Sequence, residues 1–145
     1  MEQASAQEES PNELVMIDIV LVVDDDDNWC FLTKLILQKA AVFKEIITAH
    51  NGLEAFRKIE ALVADGKRVP DLILLDIKMP VMDGFEFLEE IQKSSAFDLS
   101  QTRIYMSTSS FLTKDKERAK RYPVAGFITK PLTEEILRDI LRGQA

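Results

Sequence analysis

The sequence predicts an α/β protein built on a parallel sheet, and three observations predict it. Short, continuously apolar runs recur along the chain, the clearest being Ile19-Val20-Leu21-Val22-Val23 and Leu72-Ile73-Leu74-Leu75. Runs without alternation read as strands buried on both faces, as parallel strands are. Segments with helical spacing separate the runs, as crossover connections require. Turn residues stand at the junctions, at Asn51-Gly52, Asp65-Gly66, Pro70 and Pro80.

Residues 1 to 14 are polar and acidic and pass through Pro11-Asn12, which predicts a flexible tail ahead of one domain over residues 15–145. The first strand is expected near Ile17–Val23, and a helix from about Asn28 to Ala40, with Asp27 as its N-cap. A short second strand near Glu45–Ala49 leads through Asn51-Gly52 into a helix ending near Ala64. The third strand is Asp71–Leu75. A helix near Gly84–Lys93 follows the Pro80–Asp83 turn, and the fourth strand lies near Arg103–Met106. A charged helix near Thr113–Tyr122, a fifth strand at Ala125–Ile128 and a last helix capped by Thr133 complete five βα units. No internal repeat stands out. The sequence stops a few residues after the last predicted helix, so no output domain is expected.

On the first helix Trp29, Leu32 and Ile36 form one stripe, with Phe31 and Leu35 about a hundred degrees away. One stripe packs on the sheet; the other is either buried as well or left exposed for a partner.

A chain of 145 residues is close to the common size of a single domain. Its net charge of −7 argues against nucleic acid as a direct partner, because phosphate binding needs clustered Lys and Arg. Cys30 is the only cysteine, which excludes an internal disulfide and suits a reducing compartment. The first ten residues lack the basic and apolar regions of a secretory signal, and no apolar stretch approaches bilayer length. A cytoplasmic protein without membrane insertion is expected.

The first and third strands each stop at carboxylates, Asp24-Asp25 and Asp76. Ligands of open parallel sheets bind at the carboxyl ends of the strands. If these two strands are neighbours, three carboxylates share one cleft and resist joint ionisation unless a cation sits among them. An all-oxygen donor set favours a hard ion such as Mg²⁺. The expected chemistry is a bound metal beside one carboxylate nucleophile.

Four pieces of sequence, in order, then resemble the receiver domain of two-component response regulators. They are Val22-Val23-Asp24-Asp25, the run from Asp76-Ile77-Lys78-Met79-Pro80 to Asp83-Gly84, Met106-Ser107-Thr108-Ser109, and Phe127-Ile128-Thr129-Lys130-Pro131. The resemblance covers about residues 16–142. It implies a doubly wound five-stranded parallel sheet in the order 2-1-3-4-5, with helices on both faces. It implies Asp76 as phosphoacceptor and Mg²⁺ held by Asp24, Asp25, Asp76 and the backbone carbonyl of Lys78. Four successive aspartates leave the ligand assignment open by one position. Asp26 and Asp27 serve only the helix dipole in that reading. Lys130 is implied to reach the phosphoryl group as a point charge, across an X-Pro bond that is usually cis in the family. Thr108 is implied to donate its hydroxyl, with Ser107 and Ser109 close enough in sequence to be its rivals. Phe127 is implied to be the aromatic that changes rotamer, against the plainer alternative of a core phenylalanine. The resemblance also implies that the Lys78 side chain points toward the route of attacking water. His50, the only histidine, reads as a solvated loop residue.

The resemblance further implies a sensor histidine kinase or histidine phosphotransfer protein as donor, a downstream protein target, and no catalysis beyond the chain's own phosphoryl transfer and autodephosphorylation. Three other readings compete. A haloacid dehalogenase-type phosphatase also uses an Asp-x-Asp motif after a strand, which Asp24-Asp25-Asp26 satisfies, but hydroxyls stand where its later acidic ligands belong. An unphosphorylated receiver-like module usually lacks the nucleophile, an acidic partner or the lysine, all present here. Dinucleotide binding lacks its glycine fingerprint after the first strand.

Overall fold

The computed structural model describes residues 17–109 and 112–143; the tail expected over residues 1–14 lies outside them. Five strands alternate with five helices: β1 (Ile17–Val23), α1 (Asp27–Ala40), β2 (Phe43–Ala49), α2 (Gly52–Ala64), β3 (Leu72–Asp76), α3 (Gly84–Lys93), β4 (Arg103–Thr108), α4 (Thr113–Ala119), β5 (Gly126–Thr129) and α5 (Glu134–Leu141). The sheet is parallel, in the order β2-β1-β3-β4-β5. This is the expected doubly wound architecture.

Side chains of successive strand residues point to opposite faces, and both faces are covered. Val20, Val22, Leu72, Leu74 and Tyr105 pack with Cys30 and Leu37 of α1 and Leu137 and Ile140 of α5. Leu21, Val23, Ile73, Leu75 and Met106 pack with Ala55 and Ile59 of α2, Phe87 and Leu88 of α3 and Ala119 of α4. Complete burial of β3 explains its unbroken apolar run.

The inner stripe of α1 differs from the expected one. Cys30 and Leu37 are its buried residues, and Ile36 packs at their edge. Leu32, expected to share a stripe with Ile36, is exposed together with Phe31 and Leu35. Cys30 is small enough to sit against the end of β1, where its thiol donates to the Asp24 carbonyl at 3.3 Å. That contact rotates the helix so that the stripe ahead of Leu37 turns outward. The N-cap of α1 is Asp26, one residue earlier than expected, and its carboxylate accepts from the Asn28 and Trp29 amides. No helix among the described residues is long and apolar enough to cross a membrane.

Candidate functional site

β1 and β3 are hydrogen-bonded neighbours with Val23 opposite Leu75, so Asp24 and Asp76 emerge side by side. One carboxylate oxygen from each of Asp24, Asp25 and Asp76 lies within 4.8 Å of the others. Asp24 and Asp76 are buried, whereas Asp25 faces solvent. Lys130, just past β5, reaches back across the sheet: its Nζ lies 2.5 Å from Asp24 Oδ2 and 3.6 Å from Asp76 Oδ2. Its backbone N–H donates to the Thr108 carbonyl at 2.9 Å, and the Lys130–Pro131 bond is cis. Thr108 ends β4 one residue beyond Ser107, the partner of Asp76 across the sheet. Of the three hydroxyl residues, Thr108 is buried, Ser107 half-buried and Ser109 exposed.

Local chemistry fixes these positions. After β3 the chain folds back so tightly that the Gly84 amide donates to the Ile77 carbonyl at 2.9 Å, and a Cβ at Gly84 would lie 2.5 Å from the Asp76 carbonyl oxygen. Only glycine admits that approach. Asp83 and Glu86 then close a capping box on α3. After β1 the four aspartates divide their work. The Asp24 amide donates to Ala49 and its Oδ1 accepts from the Asp26 amide at 2.9 Å. Asp26 caps α1, leaving Asp25 directed at the cluster. Asp27 is bound by His50, whose Nε2 lies 2.7 Å from Asp27 Oδ1 and whose Nδ1 lies 3.2 Å from Glu54 Oε1. His50 is an exposed loop residue, as expected, and it also links the start of α1 to α2.

Burial is the main cause that lifts the Asp76 carboxyl to about 6 from its ordinary 3.8; Asp24 adds to the rise and Lys130 opposes it. Burial alone would depress Lys130, but its hydrogen bond to Asp24 and the charge of Asp76 outweigh burial and raise it. Desolvation, with Asp24 beside it, pushes the Cys30 thiol up to about 11, which disfavours its thiolate. Three carboxylates against one ammonium leave two negative charges when all are ionised, and the donors are all oxygen. That set fits a hard divalent cation.

Lys78 stands two residues past Asp76 with its side chain exposed. Phe127 lies opposite Met106 on β5 and is 36% exposed, which excludes the plain core reading. Three features escaped the reading of the sequence. Trp29 has its ring centroid 5.6 Å from Lys130 Nζ, His50 pairs with Asp27, and Arg118 of α4 lies 4.4 Å over the Phe85 ring. Each joins segments far apart in sequence, so no local spacing announces it.

The model of the response regulator receiver domain family matches residues 20–142, and the chain belongs to that family. It is 30% identical over 124 residues to the sensor histidine kinase CheAY of Helicobacter pylori, covering 86% of this chain and 14% of that protein. It is 33% identical over 130 residues to a protein-glutamate methylesterase/protein-glutamine glutaminase of Halalkalibacterium halodurans, 84% of this chain and 34% of that one. The chain thus spans a small part of these curated relatives. Among solved structures it is similar to a two-component response regulator from Cytophaga hutchinsonii, with TM-score 0.79, 30% identity, and coverage of 88% of this chain and 96% of that one. It is likewise similar to the chemotaxis protein CheY4 of Vibrio cholerae, with TM-score 0.71, 32% identity, and coverage of 89% and 99%. The receiver domain of the sensor histidine kinase PA1611 from Pseudomonas aeruginosa, described with magnesium in its active-site cleft, shares the fold at TM-score 0.70 and 22% identity, covering 86% of this chain and 94% of that one. These relationships do not favour the phosphatase reading or the unphosphorylated-module reading.

Proposed function

We propose that this receiver domain is a phosphorylation switch in which Asp76 takes a phosphoryl group from the phosphohistidine of a sensor histidine kinase or histidine phosphotransfer protein. The observation that carries this reading is the buried Asp76 carboxylate set among Asp24, Asp25 and Lys130. An Asp76 oxygen attacks phosphorus, the phosphorus–nitrogen bond of the donor breaks, and an acyl phosphate forms. Asp24, Asp25, Asp76 and the backbone carbonyl of Lys78 are the oxygen donors that would hold Mg²⁺. When bound, Mg²⁺ neutralises charge between these carboxylates and the phosphoryl oxygens. Lys130 shifts from Asp24 toward the phosphoryl group, as its 2.5 Å and 3.6 Å contacts allow. The Thr108 hydroxyl donates to a phosphoryl oxygen. Phe127 turns when that hydroxyl moves, and the surface around β4 and α4 changes for a downstream protein target.

Hydrolysis by water resets the switch, so the chain acts on its own phosphoryl group and not as a turnover enzyme on a free substrate. The reading places it in the cytoplasm, with no direct nucleic-acid partner and no membrane insertion. Intact mass after incubation with acetyl phosphate tests it. A gain of one phosphoryl group that requires Mg²⁺ and is lost in Asp76→Asn is the expected result. The same gain in chelator would remove the metal from the account.

A further inference from the structure

Among the described helices α4 is the least anchored. Asp26, Asn51, Asp83 and Thr133 cap α1, α2, α3 and α5 through their side chains. The N-cap of α4, Leu112, makes no such bond, and the helix has only seven residues. In its first turn Asp115 is buried, and its Oδ2 has no hydrogen-bond partner among the described residues. A buried, unpartnered carboxylate oxygen costs free energy and demands an explanation. Beside it a cavity of about 290 Å³ separates α4 from the β3–α3 loop, walled in part by Ile77, Lys78, Phe85, Leu112 and Lys114. α4 therefore has both a reason to move and room to do so.

Besides the buried Ala119, one contact ties α4 to α3. The Arg118 guanidinium lies 4.4 Å over the Phe85 ring, which is itself buried and packed on Tyr122 at 6.2 Å. Phe85 directly follows Gly84 at the start of α3, on the loop that leaves Asp76. The contact thus joins α4 to the segment carrying the phosphoacceptor.

We propose that the Arg118–Phe85 contact is a latch holding α4 in its resting position, in which Asp115 Oδ2 has no partner among the described residues. Resting on the phosphorylation reading, the inference is that charge on Asp76 draws Thr108, five residues ahead of α4, and releases the latch. Asp115, which itself lines the cavity, then gains a partner among the cations that line it, the released Arg118, Lys78 and Lys114. Removing the latch favours the released state before any phosphoryl group arrives.

The test is binding of beryllofluoride, a phosphoryl analogue, to the whole chain in Mg²⁺, followed by fluorescence of Trp29, the chain's single tryptophan, 5.6 Å from Lys130 Nζ. Arg118→Gln should tighten binding by about twofold to fivefold, the population shift from losing one partly exposed cation–π contact. Phe85→Leu should tighten it similarly, and the double variant no further than either one. Asp115→Asn should weaken binding and raise the thermal midpoint. Wild-type binding with Arg118→Gln unchanged, additive single effects, or tighter binding in Asp115→Asn would each overturn the latch alone. A wild-type chain that does not bind the analogue would overturn the phosphorylation reading and the latch with it.

Discussion

After β1 the chain turns through Asp24–Asp27 with each carboxylate given a separate partner or task; after β4 it enters α4 with no side-chain cap from Leu112 and with a buried Asp115 oxygen that has no partner among the described residues. The β1–α1 corner is fastened to β2 by the Asp24 amide, to α2 through His50 and to α1 by the Asp26 cap. The β4–α4 corner is held from outside, by Arg118 on Phe85. Both corners border the same carboxylate cluster. The difference teaches how one small domain divides labour. Ligand-holding groups need fixed geometry, whereas the segment that reports a change must have a second position within reach.

The comparison can be broken first at the core that anchors α1. Leu37 is fully buried and Leu35 largely exposed, so Leu37→Ala should cost about 2–5 kcal/mol in urea unfolding and Leu35→Ala under about 1 kcal/mol. Equal losses would mean that α1 packs on the other stripe.

Next comes the charge in the cleft. The Asp76 carboxyl is raised to about 6 from 3.8, so its protonated form is the one the fold favours. That contribution is fully present below about pH 3.8 and is lost as pH rises through about 6. Asp76→Asn keeps a neutral group throughout. In Mg²⁺-free buffer at pH 7 it should be more stable than wild type by on the order of 1–3 kcal/mol, the gap closing as pH falls toward 4. Thermal melts across that range check it, and a gap that grows on acidification would reverse the sign assigned to Asp76.

The caps sharpen the contrast between the two corners. Asp26→Ala should cost about 1 kcal/mol, while Leu112→Ser, which offers α4 the cap it lacks, should add about 0.5–1 kcal/mol. Loss of stability in Leu112→Ser would show that α4 has no capping vacancy to fill. The smallest effect is expected at Val81, a β-branched residue at φ 70° in a turn where the Met82 amide donates to the Pro80 carbonyl. Val81→Gly should stabilise by about 0.5 kcal/mol, the relief of strain offset by glycine's extra freedom in the unfolded chain. Destabilisation would mean that the side chain, 74% exposed, makes contacts that matter.

Much of this was written locally in the sequence. β1 and β3 announce themselves because strands buried on both faces have no polar position to interrupt them. Asp24, Asp25 and Asp76 stand where apolar runs stop, whereas Lys130 is singled out by the resemblance to receiver domains. The ends of β2 and β4 were read short for the opposite reason. β2 is an edge strand whose exposed Lys44 and Glu45 separate Phe43 from the apolar run that follows, and β4 finishes in Ser107 and Thr108, which carry no hydrophobic signal. Asp26 was missed as the cap because four identical residues offer four equivalent registers, which only the helix start separates. The inner face of α1 was misjudged because a buried cysteine, rather than a large apolar residue, sets its rotation. His50 with Asp27, and Arg118 with Phe85, are meetings of distant segments, which spacing within one segment does not encode.

The most direct test of the central claim is to locate the phosphoryl group itself. After reaction with acetyl phosphate and Mg²⁺, borohydride converts an acyl phosphate to the corresponding alcohol, and peptide mass mapping finds the altered residue. Reduction at position 76 alone is the predicted result. Reduction within Asp24–Asp27, with Asp76 intact, would contradict it and make the β1–α1 corner the acceptor.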